Sequence, residues 1–431
     1  MRSRSLALFC WNDTSGTLMP PTSRRILQYL LSLLLVALVC GLACSHRFYI
    51  ESIVSAYFAA ALAGAAIIYA CIRRPKELIH VVAVALVLWA LEYGIAGTRA
   101  AGIFLVVPTI SLVGLAAFLV LGLRAIWSQG DEQRMLLYAF IPAVIFAGSD
   151  WFASELLAIT EKLHPQVFDY YLFSFDASLI WQASPEMGKI FATYTWFRIS
   201  STIVYVGLAL PIALVYGLNL RRRGGAALPV MYAFLLTGPI GVIFYNLLPA
   251  MGPAHVFGAS FPFYVPDFTQ AARLVPTVVT LPGPRNAIPS LHMGWVLLAW
   301  WNSKGLHWFW RAIVLYFVLF TVCATLGTGE HYLVDLIVAY PFALLLQAIS
   351  KTSLPIADRQ RWVPLVASVA TILLWFALLR FDNHVFWLSP SIGWLMSLVT
   401  IAGAIGLHYW LQMDPTQIAG EQPALSSAVA E

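Results

Sequence analysis

Long apolar runs recur along this chain and are separated by connections that carry most of its charge. A helix that crosses the hydrocarbon core of a membrane needs about 20 mostly apolar residues. By that rule the pattern predicts about twelve transmembrane helices, of which the run at 288–303 is the shortest. The predicted spans are residues 26–45, 53–72, 78–97, 103–125, 136–158, 197–218, 226–248, 288–303, 307–327, 331–350, 361–380 and 389–412.

The composition places the chain among all-α polytopic membrane proteins. Of its 431 residues, 60% are hydrophobic and only 10% are charged, and the mean hydropathy is +0.80. A soluble domain cannot bury that much apolar surface. The net charge of +5 is small for this length and gives no reason to expect a nucleic-acid partner. The five cysteines show neither a disulfide framework nor the spacing of metal ligands.

Positive charge falls on alternate connections between the predicted spans. By the positive-inside rule these connections are cytoplasmic, so both chain termini are predicted to lie in the cytoplasm. The remaining connections are poorer in Lys and Arg, and two of them, 159–196 and 249–287, are long enough to hold interfacial helices or a lid. The positive clusters are Arg24-Arg25, Arg73-Arg74-Lys76, Arg124 with Arg134, Arg221-Arg222-Arg223, Lys304 with Arg311, and Lys351 with Arg359 and Arg361.

Two short polar motifs at the same predicted non-cytoplasmic edge carry the candidate chemistry. In His331-Tyr332-Leu333-Val334-Asp335, the histidine and the aspartate are four residues apart and share one face of a helix. The carboxylate can then fix the imidazole tautomer, which leaves the other ring nitrogen free to attack phosphorus. The alternative interpretation is that His331 and Asp335 form a purely structural pair that caps a helix.

The second motif, Pro289-Ser290-Leu291-His292, supplies the other groups that phosphoryl transfer needs. His292 can protonate a departing alkoxide. Pro289 suits the first turn of a helix, so the Ser290 N–H and hydroxyl would face an anion there. Arg285 lies just upstream, and its guanidinium can bind phosphate through two parallel hydrogen bonds.

These motifs resemble those of the type 2 phosphatidic acid phosphatase superfamily. Residues 285–292 and 329–335 are most similar to the inositol phosphorylceramide synthase branch. The resemblance implies a six-helix catalytic core at 136–350, with His331 as nucleophile, Asp335 as its partner, His292 as general acid, and Ser290 and Arg285 as phosphate ligands. It also implies a phosphohistidine intermediate, no metal and no cofactor.

The resemblance also fixes the predicted organisation of the remaining chain. Accessory transmembrane helices are expected on both sides of the core, and a tail at each end. These segments are a cytoplasmic tail at 1–25, accessory helices at 26–130 and 360–412, and a disordered tail at 413–431.

Three positions depart from the superfamily pattern. The Lys and Arg-Pro of its first motif are not present, Thr325 stands where an Arg precedes the third-motif histidine by six residues, and Ala339 replaces a Gly. The synthase branch tolerates the first two differences, so they favour that branch over simple phosphatases.

Four further polar residues are candidates for the headgroup or the cavity. Asp150 lies within a predicted span and must face the bundle interior or a cavity, where it would bind substrate or pair with another helix. Asp169 and Asp176 could recognise the hydroxyls of a polyol or be solvated loop acids. Arg198, at an outer helix end, could add a phosphate contact.

The sequence therefore predicts an integral membrane phosphotransferase or phosphatase that takes lipid substrates from the outer leaflet. Transfer of a phospho-headgroup, of the inositol-phosphate kind, to a lipid alcohol is the first expectation. A lipid-phosphate or isoprenoid-pyrophosphate phosphatase is the alternative within this class. A transporter or flippase would show internal repeats and interrupted helices near the midplane, and no repeat is visible. A multi-spanning glycosyltransferase ranks third. Enzymes of that class, by resemblance, carry acidic residues in the first outer connection, and here that connection has a single acid, Glu51.

Overall fold

The computed structural model describes residues 21–96 and 103–413, and its described part is almost entirely helical, which confirms the all-α prediction. In chain order the helices are α1 Pro21–Ala43, α2 His46–Val54, α3 Ala56–Ile72, α4 Leu78–Ala96, α5 Ile103–Trp127, α6 Gly130–Leu163, α7 Asp169–Ser178, α8 Ala183–Thr193, α9 Thr195–Val206, α10 Ala209–Arg223, α11 Leu228–Leu247, α12 Pro253–Phe257, α13 Phe268–Ala271, α14 Leu291–Asn302, α15 Trp308–Gly327, α16 Leu333–Ser350, α17 Arg359–Phe381 and α18 Pro390–Leu411. The strands are β1 Gln166–Val167 and β2 Val279–Thr280. The predicted tails at 1–25 and 413–431 lie largely outside the described residues.

Within the described residues, nine helical elements are long and apolar enough to cross a membrane, or ten if the bent pair α2–α3 is one span. The expected number was twelve. One difference is α14, which has 12 residues and is too short to cross alone. The other is the apolar stretch Ala209–Leu247, which counts as one element although it contains both α10 and α11.

The most buried of these elements is α16. In its most apolar window 83% of the residues are buried, compared with 11% in α1 and 17% in α18. It packs against α11, α14, α17 and α18. The N-terminal helices form a separate layer in which α5 contacts α1, α3, α4 and α6, and α3 also packs along α10. The helix that follows His331 is therefore central, and α3 connects the N-terminal layer to the helices around it.

The two long connections, residues 159–196 and 249–287, contain short helices and fold onto each other. Strands β1 and β2 pair in antiparallel fashion, with Gln166 opposite Thr280 and Val167 opposite Val279. The N–H of Phe168 also donates to the carbonyl of Pro249 at 2.8 Å. Because residues 159–196 and 249–287 are joined in this way, they form one structure at the end of the bundle where His331 lies.

Candidate active site

The imidazole of His331 is fixed by contacts on both ring nitrogens. Nδ1 lies 2.9 Å from the carbonyl oxygen of Ala287 and 3.3 Å from Oδ2 of Asp335. A carbonyl oxygen only accepts hydrogen bonds, so Nδ1 carries the proton. Nε2 then holds the lone pair and lies 3.2 Å from the hydroxyl of Ser290. The ring therefore presents Nε2 as the nucleophilic atom, and its side chain is only 2% exposed.

Asp335 is the second acceptor for His331, and it also completes the helix that carries it. Its Oδ2 accepts from the N–H of Tyr332 at 2.8 Å, in the first turn of α16. Its backbone carbonyl accepts from the N–H of Ser290 at 3.2 Å, which joins the start of α16 to the start of α14. The carboxylate is fully buried. Asp335 thus contacts His331 and also caps the start of α16.

Ser290 is the N-cap of α14. Its hydroxyl oxygen accepts from the N–H of Met293 at 3.3 Å while facing Nε2 of His331. Ser and Thr favour this position because the side chain satisfies a backbone donor that the helix leaves free. The N–H of Ser290 itself donates to Asp335, so the hydroxyl is the group of this residue that faces the nucleophilic nitrogen.

His292 is the second residue of α14 and faces His331. The two imidazole centroids are 6.0 Å apart. Tyr205, near the end of α9, stacks on His292 at 4.0 Å with an interplanar angle of 22°. The hydroxyl of Tyr57, at the start of α3, lies 3.3 Å from Nε2 of His292. Two aromatic residues from distant parts of the chain therefore hold the candidate acid.

Asp176 caps α16 from another element. Its carboxylate accepts from the N–H of Leu333 at 2.6 Å and from the N–H of Val334 at 3.2 Å. These are first-turn amides that have no partner within the helix, and the helix dipole favours a negative group there. Burial raises the pKa of Asp176 to about 8, although the amide donors act in the opposite direction. Asp176 orients the helix of the site and is not presented to a headgroup.

Asp169 has a similar structural position in α7. Its carboxylate accepts from the N–H groups of Met251 and Gly252, the latter at 2.8 Å. Gly252 has a φ of 108°, and a Cβ at this position would collide with the carbonyl of Glu330. Burial raises the pKa of Asp169 to about 7. This acid joins the connections 159–196 and 249–287 and is fully buried, so it is neither a solvated loop acid nor an exposed headgroup ligand.

Arg285 is fully buried, and each of its five N–H groups has an acceptor nearby. Nε donates to the carbonyl of His164 at 2.8 Å, and Nη2 donates to the carbonyls of Pro165 and Leu281. Nη1 contacts the Gly283 carbonyl and the Met251 sulfur. The guanidinium therefore fixes the loop that delivers the Ala287 carbonyl to His331. In this arrangement it does not offer a free pair of donors to phosphate.

His255 and Glu330 form an ion pair next to His331 in the chain, with Nε2 and Oε2 3.5 Å apart. Each side chain is about one third exposed, at 32% and 33%. The hydrogen bond with Glu330 raises the pKa of His255, against the opposing effect of burial. Burial acts to raise the pKa of Glu330, but the bond and the charge of His255 outweigh it, and that pKa is lowered.

Two further predicted site residues, Arg198 and Asp150, belong to α9 and α6. Arg198 is exposed on α9, seven residues before Tyr205 and thus on the same face of the helix. Asp150 belongs to α6, but its side chain falls outside the described part of the structure. Thr325 donates its hydroxyl to the Thr321 carbonyl within α15, and its own carbonyl accepts from the N–H of His331.

Three groups of the site were missing from the sequence prediction: the Ala287 carbonyl, Tyr57 and Tyr205. A backbone carbonyl has no residue-type signal, and Tyr57 contacts a histidine 235 positions away. Tyr205 lies two residues before Gly207, which ends α9, and this helix end is the sequence feature that could have drawn attention to Tyr205. Among the described residues, no group of three or more His, Cys, Asp or Glu side chains is placed to hold a metal ion.

Comparison with known proteins gave one match. Residues 170–349 match the model of the PAP2 superfamily. This segment begins at α7, ends within α16, and contains His292, His331 and Asp335. The match supports placing this part of the chain in that superfamily, whose members are phosphatases or phosphotransferases, and it supports an enzyme acting on phosphoesters. No curated protein and no solved structure matched the chain.

Proposed function

We propose that this protein is an integral membrane phosphotransferase that acts on lipid phosphoesters through a phosphohistidine at Nε2 of His331. One observation carries the proposal: Nδ1 is held by the Ala287 carbonyl and by Asp335, while Nε2 faces the Ser290 hydroxyl. A histidine with one nitrogen fixed as a donor and the other left as a base is prepared for attack on phosphorus.

The reaction has two balanced steps. In the first, Nε2 of His331 bonds to phosphorus, the bond from phosphorus to the lipid alkoxide breaks, and His292 gives its proton to the leaving oxygen. In the second, an acceptor hydroxyl gives its proton to His292, its oxygen bonds to phosphorus, and the bond to Nε2 breaks. Asp335 stabilises the positive charge that the phosphorylated imidazole carries. No metal or cofactor takes part in this scheme.

The acceptor is an alcohol in this proposal, so that the phospho-headgroup, of the inositol-phosphate kind, passes to a lipid hydroxyl. The resemblance of residues 285–292 and 329–335 to inositol phosphorylceramide synthases supports transfer. The burial of His331 beneath the outer connections supports it as well, because transfer requires that water be kept from the intermediate. With water as acceptor, the same residues make a lipid-phosphate or isoprenoid-pyrophosphate phosphatase.

The proposed site lies on the non-cytoplasmic face, with both termini in the cytoplasm and with lipid entering from the outer leaflet. The positive clusters on alternate connections support this orientation. Arg198 remains a proposed phosphate contact on that side, and Asp150 a proposed cavity residue. Arg285, Asp169 and Asp176 are assigned to the support of the site, because their polar atoms already bond to backbone groups.

A transporter is the candidate from another class, and interrupted helices are a feature that it would share. Two helix interruptions lie close to residues that contact His292. The break between α2 and α3 is next to Tyr57, and the break between α9 and α10 is next to Tyr205. The breaks thus serve the two-histidine cluster, which supports the enzyme.

The test follows the fate of phosphorus. Purified protein in detergent receives fluorescent phospholipids and lipid phosphates, with and without ceramide or another lipid alcohol. His331→Ala is compared with His384→Ala, since His384 is an outer-loop histidine whose side chain is 78% exposed. A new headgroup-bearing lipid that needs both the acceptor and His331 supports transfer. Phosphate release without acceptor supports the phosphatase, and turnover by His331→Ala would overturn the mechanism.

A further inference from the structure

We infer that Tyr57 is a positioning residue for the general acid His292, and that the N-terminal helices thereby complete the catalytic site. The inference rests on the proposed function. Tyr57 lies outside residues 170–349, the segment that matches the PAP2 superfamily. Its hydroxyl is nevertheless 3.3 Å from Nε2 of His292, and the two ring centroids are 5.8 Å apart.

The backbone of the N-terminal layer places Tyr57 at this point. Helices α2 and α3 meet at an angle of 103°, with Ser55 between them. The Ser55 hydroxyl accepts from the N–H of Phe58 at 3.1 Å and so begins α3 as an N-cap. Tyr57 therefore stands in the first turn of α3, at the end of the helix nearest α14. Because α3 packs along α10 and contacts α9, this position is fixed by the core.

The chemistry of a tyrosine hydroxyl suits a group that changes its protonation state. When His292 is protonated, Nε2–H donates to the Tyr57 oxygen. When Nδ1 of His292 has lost its proton, Nε2 keeps its hydrogen and still donates to the Tyr57 oxygen, which accepts in both states. One partner thus satisfies Nε2 in both half-reactions without exchanging its own proton. Nδ1 of His292 is then the nitrogen that gives a proton to the leaving oxygen and takes one from the acceptor.

The other contacts of His292 hold the plane of the ring and leave its rotation to Tyr57. Tyr205 stacks on the imidazole at 4.0 Å, and Tyr57 packs edge-on against Tyr205 at 5.9 Å. Stacking restrains the tilt of a ring, whereas a hydrogen bond to one nitrogen decides which atom points to the substrate. Residues from α3, α9 and α14 together set the acid opposite His331.

The test replaces Tyr57 by Phe, which keeps the ring and removes the hydroxyl. Tyr69→Phe is the matched control, because Tyr69 lies in the same helix, also bonds through its hydroxyl, and is about 18 Å further along. Both variants are measured with the lipid donor and with a donor of the same headgroup in which 4-nitrophenol replaces the lipid alcohol. Nitrophenolate is a stable anion and leaves without a proton from His292.

For the lipid donor, we expect Tyr57→Phe to lower kcat about tenfold to hundredfold with KM within about twofold. With the nitrophenyl donor, the rate of nitrophenolate release in the first turnover should stay within about threefold of the wild type, as it should for His292→Ala. The comparison uses the first turnover because the second step still requires His292 to take the proton of the acceptor. Adding Tyr57→Phe to His292→Ala should have no further effect, because Tyr57 acts through that histidine. Tyr69→Phe should match the wild type with both donors.

An equal loss with both donors, or a further loss on the His292→Ala background, would assign Tyr57 a merely structural role and overturn the inference. So would lipid turnover by Tyr57→Phe at the wild-type rate. The thermal unfolding midpoint in detergent and the yield of purified protein identify a folding defect. In that case Tyr57→Trp repeats the test with an aromatic side chain that cannot accept a hydrogen bond. Retained turnover in His331→Ala refutes the proposed function separately, whatever the result at Tyr57.

Discussion

Replacing Asp335 by Asn tests which group fixes the tautomer of His331. In Ser-His-Asp triads, the same exchange costs about 10⁴-fold in kcat because the histidine takes the wrong tautomer. Here Nδ1 is closer to the Ala287 carbonyl, at 2.9 Å, than to Oδ2 of Asp335, at 3.3 Å. A carbonyl keeps its preference for Nδ1–H when the carboxylate becomes an amide. The tautomer should therefore survive the substitution.

The expected loss follows from the interactions that remain. The Asn oxygen can still accept from Tyr332 N–H and from His331, so the two bonds become neutral instead of charge-assisted. A hydrogen bond to a charged group contributes about 1.5–3 kcal/mol and a neutral one about 0.5–1.5 kcal/mol. Losing about 1–2 kcal/mol of stabilisation of the charged imidazole lowers kcat by about 5–30-fold.

The assay is kcat for headgroup transfer, together with the amount of acid-labile phosphoenzyme trapped in the first turnover. Asp335→Asn should still form the phosphoenzyme, only more slowly, whereas His331→Ala should form none. A loss of 10³-fold or more, with a normal unfolding midpoint, would refute the reasoning. It would mean that the carboxylate, and not the carbonyl, decides which nitrogen of His331 is protonated.

Arg285→Lys should lower the free energy of unfolding by about 2 kcal/mol or more, because a lysine has too few donors for the acceptors that now face the guanidinium. Thermal unfolding and limited proteolysis of residues 249–287 measure this loss. A raised KM at normal stability would instead show that Arg285 contacts the phosphate. Glu330→Gln should cost about 0.5 kcal/mol near pH 6 and nothing at pH 9. The raised pKa of His255 gives stability that is present at low pH and lost as pH rises through that pKa. The lowered pKa of Glu330 gives stability that is lost in acid, so the pair contributes between about pH 5 and pH 7. Unfolding midpoints of both proteins at the two pH values measure it, and an equal difference at both would contradict the assignment.

Hydropathy predicted the elements that are apolar from end to end and failed where the chain breaks. The predicted span 197–218 is divided into α9 and α10 by a short interruption at 207–208, and 53–72 contains the sharp turn at Ser55 near its start. A window of about 20 residues averages over such breaks. Hydropathy predicts a short span at 288–303, but only 12 residues there, Leu291–Asn302, form a helix.

In the site, the i, i+4 relation brought His331 and Asp335 together as predicted, since that geometry is local. The contact of His331 with Ser290 depends on how α14 and α16 pack, and only the resemblance of the motifs suggested it. The positions of Asp169 and Asp176 could not be predicted from the sequence, because an acid in a loop is usually solvated. The backbone N–H groups that donate to these two carboxylates belong to residues 82 and 157 positions away.

The bonds of Asp176 to the first turn of α16 have a consequence for how such a site can be altered. The N–H groups of Leu333 and Val334 donate to an acceptor from α7, so the connection 159–196 supplies the N-terminal cap of the helix that follows His331. An engineer who grafts a foreign outer segment to change specificity would also remove this cap. A successful exchange must keep an acid at position 176 and one at position 169. Without them the variant would lose activity, and its substrate specificity could not be measured.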